Sequence, residues 1–213
     1  MLTVGLFFHS CPGLARLRKA ACLALSILLL NACAPFLPSA PPMVPATESL
    51  VQPAAYGDLC RRHPKLCALP GSLSVDRRIG LTAPVLKQLR RVNAEVNRTV
   101  TYRRDPLIFG RREYWVPADT VGDCEDFALL KLSRLLDQGY PREALRLALA
   151  VRPDGRQHAV LAIHTDKGVL IMDNFYNDIV PWHELGYRHW RWEQVGTFRW
   201  AGLDANPRQP DGG

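Results

Sequence analysis

Between Asp123 and Asn174 the hydrophobic pattern changes period, and this change restricts the fold more than any other feature of the chain. Ala128, Leu129, Leu132, Leu135 and Leu136 recur at intervals of three and four, which is the spacing of a helix with one apolar stripe. Lys131, Arg134 and Gln138 fall off that stripe. Asp123 is placed to cap the helix and Gly139 to end it, so Cys124 stands at the first helical position. From Leu145 the period becomes two: Leu145, Leu147, Leu149 and Val151 alternate with Arg146, Ala148 and Ala150 before the turn Pro153-Asp154-Gly155. Two more strands are predicted over 157–164 and 168–174, joined at Asp166-Lys167-Gly168, with a last one over 196–200. An earlier amphipathic helix is predicted over 82–96, with Thr82 as cap, Pro84 in its first turn and Lys87, Arg90 and Arg91 on its solvated face. Helix, helix, then antiparallel sheet is an α+β order, with the second helix packed on the sheet.

The N-terminal part of the chain reads differently. Arg16, Arg18 and Lys19 precede an uncharged apolar run from Ala20 to Leu30, which is the layout of a signal peptide. That run is about half of the roughly 20 apolar residues a spanning helix needs. It is followed by Leu30-Asn31-Ala32-Cys33, which resembles the lipobox of bacterial lipoproteins; Cys33 is then the lipidated first residue of the mature chain, and Ala34 favours the outer membrane. A plain cleavage site near Ala32 or Ala40 is the alternative. Pro35, Pro38, Pro41, Pro42, Pro45 and Pro53 mark an extended spacer. The expected organisation is a signal peptide over 1–32, a proline-rich tether over 33–55, a domain over 56–203 and a disordered tail over 204–213. With 47% hydrophobic and 22% charged residues, that domain can bury one core.

Removing 1–32 leaves 24 basic and 20 acidic residues, a net charge of +4. So small an excess gives no reason to expect a nucleic-acid partner, and a monomer is expected. Cys11 and Cys22 leave with the leader, so Cys33, Cys60, Cys67 and Cys124 remain. Cys60 and Cys67 bracket a six-residue loop, which an oxidising compartment would staple; two free buried thiols are the other reading. Cys124 is left as an unpaired thiol, a candidate for reactivity.

A helix N-terminus favours the thiolate, the reactive form of cysteine, although a small buried cysteine filling a gap looks the same in sequence. A thiol nucleophile needs a base, and the base needs an orienting acceptor. If 157–174 forms a hairpin turning at Asp166-Lys167, position 158 faces 175 and Asp173 is the diagonal neighbour of His158 on the same face. His164 shares that parity but lies beside the turn and reads as a surface residue; His183 and His189 fall in an irregular aromatic segment. Asp123, Glu125 and Asp126 surround the thiol and should raise its pKa. They either complement the helix dipole or hold a hard cation such as calcium.

Tyr114-Trp115-Val116-Pro117, Gly122-Asp123-Cys124-Glu125-Asp126-Phe127-Ala128, Lys131, His158-Ala159-Val160-Leu161 and Asp173-Asn174 resemble the motifs of the bacterial transglutaminase-like cysteine proteinases. The likeness runs from Tyr56 to Trp200, and it includes the Cys60 and Cys67 pair and residues 96–105. It implies a papain/transglutaminase-like fold with a Cys124, His158, Asp173 triad. Members of the LapG type are calcium-dependent periplasmic proteases that clip surface adhesins, which implies calcium at Asp123 and Glu125, with Asp126 as a further ligand. The stretch between Trp115 and Gly122 is short for the family, and the lipobox and tether depart from its adhesin-releasing members. The reading is a periplasmic, lipid-anchored cysteine peptidase whose partner is a protein substrate such as a surface adhesin. Acyl transfer or amidase chemistry, and a non-catalytic lipid-anchored binding protein, are the alternatives.

Overall fold

A computed structural model of the chain describes residues 37–41, 49–67, 77–194, 197 and 199–203. The expected signal peptide, Cys33 and the tail from 204 onward lie outside the described residues, as do 42–48 of the tether. No helix among the described residues is long and apolar enough to cross a membrane.

The helix stripes fold as their spacing dictates. Helix α1 (Ala54–Arg62) precedes α2 (Ala83–Thr99), whose cap Thr82 accepts from the Val85 N–H at 3.4 Å and whose buried face is Leu86, Leu89, Val92, Asn93 and Val96. A short α3 (Asp105–Ile108) follows, and then α4 (Cys124–Asp137), capped by Asp123. Gly139 lies just past its end with φ of 83°, a conformation in which a β-carbon would be strained.

Seven strands make one sheet in the order β1-β9-β8-β4-β5-β6-β7, with every neighbouring pair antiparallel. They are β1 (Ser49–Val51), β4 (Leu145–Val151), β5 (Gln157–Thr165), β6 (Gly168–Met172), β7 (Val180–Pro181), β8 (Arg188–Glu193) and β9 (Arg199–Gly202). A separate parallel pair joins β2 (Thr101–Tyr102) to β3 (Val121–Gly122). Leu129, Leu132 and Leu135 of α4 pack with Leu147, Leu161, Ile163, Leu170 and Met172 on one face of the sheet. The other face, carrying Ala148, Val160, Ala162 and Ile171, is closed by Trp182, Tyr187, Trp190 and Trp192. The α+β expectation, with the cysteine-bearing helix on an antiparallel sheet, is met.

Several local expectations are corrected. The aromatic segment expected to be irregular contains β8, in which Trp190 and Trp192 point inward at period two. Only Arg191 separates the two tryptophans, so the alternation is too brief to stand out in the sequence. The second strand is buried on both faces because it is central, and this makes His164 a buried residue at 8% exposure instead of a surface one. Lys131, off the stripe, is also buried, at 1%. The third strand ends at Met172, so Asp173 and Asn174 begin a loop. The tether boundary at 55 shifts as well: residues 49–51 form the edge strand β1 and α1 starts at Ala54, an edge position that tolerates the flanking prolines. Upstream, the Ala40 N–H donates to Lys167 O at 2.8 Å and the Trp182 indole donates to Pro41 O at 2.9 Å. Cys60 and Cys67 are joined by a disulfide across the end of α1.

Candidate active site

The parallel pairing of β2 with β3 sets the segments that follow them side by side: the Arg103 N–H donates to Gly122 O at 2.8 Å and the Asp105 N–H to Asp123 Oδ2 at 3.1 Å. Gly122 is required here, because a β-carbon would lie 2.6 Å from Asp126 Cβ and 3.1 Å from Ala118 Cβ. The close approach lets the first turn of α4 fold back on the loop that enters it. Asp126 Oδ2 then accepts from the Asp123 N–H at 3.3 Å, and Asp126 Oδ1 from the Val116 N–H at 3.0 Å.

Cys124 opens the helix and is half-buried. Its thiol donates to Glu125 Oε2 at 3.2 Å, and the Ala159 N–H is directed at its sulfur. Burial, followed by the negative charge of Glu125, pushes the thiol pKa well above the ordinary cysteine range, and the Ala159 N–H opposes this.

The β5–β6 register pairs Leu161 with Met172 and Thr165 with Gly168. Continued past the end of β6, it sets 158 opposite 175 and 160 opposite 173, the diagonal relation anticipated from the turn. His158 Nε2 lies 2.9 Å from Asp173 Oδ1, with both side chains almost fully buried. Asp173 also accepts from the Phe175 N–H at 2.9 Å and from the Tyr187 hydroxyl at 2.8 Å. Burial alone would raise the Asp173 pKa; the hydrogen bond and charge of His158, with the Phe175 and Tyr187 donors, hold it below the usual aspartate range. The phenol of Tyr187 is pushed strongly upward by burial and by the Asp173 charge, so it stays a donor. Lys131 is held down at about 7 by burial, against the pull of Asp173.

The loop that presents Asp173 is tied to α2. Asn93, fully buried, donates to the carbonyls of Tyr176, Asn177 and Asp178 at 2.7 to 3.3 Å, and Asn97 donates to Asp173 O at 2.9 Å. Replacing Asn93 by leucine removes the buried donor that ties this loop to α2, leaving Tyr176 O only its bond from Asn97. Loss of about 2 kcal/mol of stability is expected, read as a lower denaturation midpoint in urea at unchanged slope.

Cys124 and His158 line the same two cavities, one of about 350 Å³ and one of about 540 Å³. The structure thus brings His158 and Asp173 into contact and sets Cys124 in the same cavities.

The acidic residues sort differently from expectation. Asp123 and Asp126 converge with Asp105, their oxygens within 4.8 Å of one another, whereas Glu125 turns to the thiol and is not one of the three. Asp105 Oδ1 and Asp123 Oδ1 are buried and accept no hydrogen bond. Burial, with the charge of Asp123 among the lesser causes, raises Asp105 to about 6 and Asp126 to about 8. Burial and the Asp123 charge raise Glu125 to about 10. Three clustered carboxylates with two orphaned oxygens fit a hard, oxygen-seeking cation. Asp105 was not among the expected ligands; it lies 18 positions from Asp123, and only the β2–β3 pairing brings it there. Tyr187 was missed for a similar reason, since its role comes from the aromatic segment closing over the sheet.

Residues 46–207 match the family model of the bacterial transglutaminase-like cysteine proteinases. The chain belongs to this family. No curated protein matches the chain. Among solved structures, Legionella pneumophila LapG is 32% identical over 48% of this chain and 60% of its own, with a TM-score of 0.43. Calcium-bound Legionella pneumophila LapG is 27% identical over 57% of this chain and 74% of its own, with a TM-score of 0.44. The chain therefore spans about 60% of the first of these relatives.

Proposed function

We propose that this protein is an exported, calcium-dependent cysteine peptidase that hydrolyses peptide bonds of a cell-envelope or surface protein, held at the outer membrane by a lipid on Cys33. The reading rests above all on the 2.9 Å contact of His158 with Asp173 beside cavities that Cys124 also lines. With Nε2 engaged by Asp173, Nδ1 is the nitrogen left to exchange a proton with the thiol. Cys124 Sγ attacks the scissile carbonyl carbon and its proton passes to His158. Backbone N–H groups at the start of α4 stabilise the oxyanion. The carbon–nitrogen bond breaks as the imidazolium returns the proton to the leaving amine; water then cleaves the thioester, releasing the acid and restoring the thiol. Asp173 fixes the imidazole and stabilises its charged form. Leader, tether and Cys33 support export and anchoring by sequence pattern.

Asp105, Asp123 and Asp126 are the groups that would hold the cation. When bound, it supplies positive charge next to the thiol, offsetting the carboxylates that disfavour the thiolate.

A test of the nucleophile uses iodoacetamide on the folded chain with calcium present, read by intact mass. Cys124 is expected to be alkylated, and His158→Ala is expected to slow the reaction by roughly tenfold or more at pH 7 as the thiolate loses its counter-charge. An unreactive Cys124, or a rate indifferent to His158, would count against the triad.

A further inference from the structure

Two cavities of unlike charge meet at Cys124, Gln157 and His158. The smaller is lined by Pro53, Ala54, Trp115 and Leu149, and its acidic residues are Glu113 and Glu125, with no guanidinium or ammonium group among them. The larger holds two guanidinium groups, Arg152 and Arg156, and no carboxylate. Its aromatic walls include Tyr102 and Phe175, which remain 53% and 50% exposed. Exposed aromatic surface beside a reactive thiol is surface that a bound chain would cover.

The two arginines are fixed to different degrees. Arg152 lies 4.1 Å over the Phe175 ring and pairs with Asp154 at 3.2 Å, so its charge is partly answered. Arg156 is exposed and makes no ion pair among the described residues. It sits just before β5, two residues from His158, where the turn Pro153-Asp154-Gly155 delivers it to the cavity mouth. An arginine in that place offers a planar pair of donors matched to a carboxylate.

We propose that the cavity carrying Arg152 and Arg156 is a specificity subsite for an acidic side chain, Asp or Glu, next to the scissile bond of the substrate polypeptide. The inference rests on the peptidase reading above and adds the substrate's chemistry to it. Arg156 takes the carboxylate, Arg152 holds the Phe175 wall and adds field, and the rings of Tyr102 and Phe175 cover the methylenes. The smaller cavity offers an acidic side chain no guanidinium or ammonium partner, and the Glu113 carboxylate stands there.

The test digests a mixed-sequence peptide library with the full chain in calcium and locates every cut by labelling new N-termini. Asp and Glu are expected to be enriched at one fixed position adjoining the cut. Turnover per unit KM is expected to exceed that of the Gln counterpart by roughly fivefold, the size of a partly exposed charge pair. Arg156→Glu is expected to shift the preference at that position to Lys and Arg, and Arg156→Gln to abolish it, both with unchanged melting temperature. Cutting without acidic enrichment, or enrichment that survives Arg156→Glu, would overturn the subsite while leaving the peptidase reading intact. Failure of the wild-type chain to cut any peptide, with Cys124 unreactive toward iodoacetamide, would overturn both.

Discussion

Replacing Cys124 by alanine is expected to lower peptide hydrolysis by roughly 10⁵-fold, down to what binding and oxyanion stabilisation alone supply. The loss is so large because the thiol has no understudy. Cys60 and Cys67 are consumed in a disulfide, and the nearest other heteroatom groups at the helix start are carboxyls. The same substitution should leave folding within about 1 kcal/mol of wild type, since Cys124 is half-buried and removing one sulfur opens little space. The measurement is kcat/KM on a cleaved peptide, with thermal melting of the same samples. A variant that keeps turnover while melting normally would remove Cys124 from the mechanism. Asp173→Asn separates catalysis from structure in the same assay, because it keeps the side-chain shape but weakens the hold on His158 and the hydroxyl contact with Tyr187.

What the sequence disclosed follows from how local each feature is. The caps Thr82 and Asp123, the helix stripes and the hairpin turn at Asp166-Lys167 are neighbours in the chain, and their spacing alone places them. The His158 and Asp173 contact was legible because a tight turn converts sequence distance into register, and one turn length fixes which residues share a face. Asp105 and Tyr187 were not legible in that way. Each reaches the site through a pairing or packing event between distant segments, and no periodicity encodes the partner. His164 was misplaced because exposure was inferred from its place beside the turn, whereas a sheet covered on both faces buries it. Glu125 was grouped with the ligands by its place beside Cys124 and by the family likeness, and its carboxyl meets both the Cys124 thiol and the Asp123 side chain. Asp123 and Asp126, three apart, share a side; Glu125 faces the sulfur.

Removal of calcium by a chelator is expected to lower the melting temperature by about 10 °C at pH 7.5, with full recovery on adding calcium back. A cation at a thousand times its dissociation constant contributes roughly 4 kcal/mol, and each kcal/mol moves a domain of this size by about 2 to 4 °C. The pH dependence of the chelated protein identifies the groups. Asp126 at about 8 and Asp105 at about 6 keep protons in the folded chain at pH values where an unfolded aspartate, near 3.8, has lost them. The folded state therefore binds more protons between about pH 4 and pH 8, and the stability this lends is complete below pH 4 and lost as pH rises through 6 and 8. For Asp126, which is fully buried, the displacement from 3.8 to about 8 corresponds to on the order of 6 kcal/mol. Chelated protein should thus melt lower at pH 8 than at pH 5. With calcium the trend should flatten or reverse, because the ion binds the deprotonated carboxylates and competes with their protons. Asp126→Asn removes the larger of these two displacements, so it should weaken the calcium response and make the chelated curve shallower, with Glu125 at about 10 still contributing. A chelated melting temperature that does not fall between pH 5 and pH 8 would mean that the buried aspartates hold no such protons, and one that calcium does not raise would mean that they hold no metal.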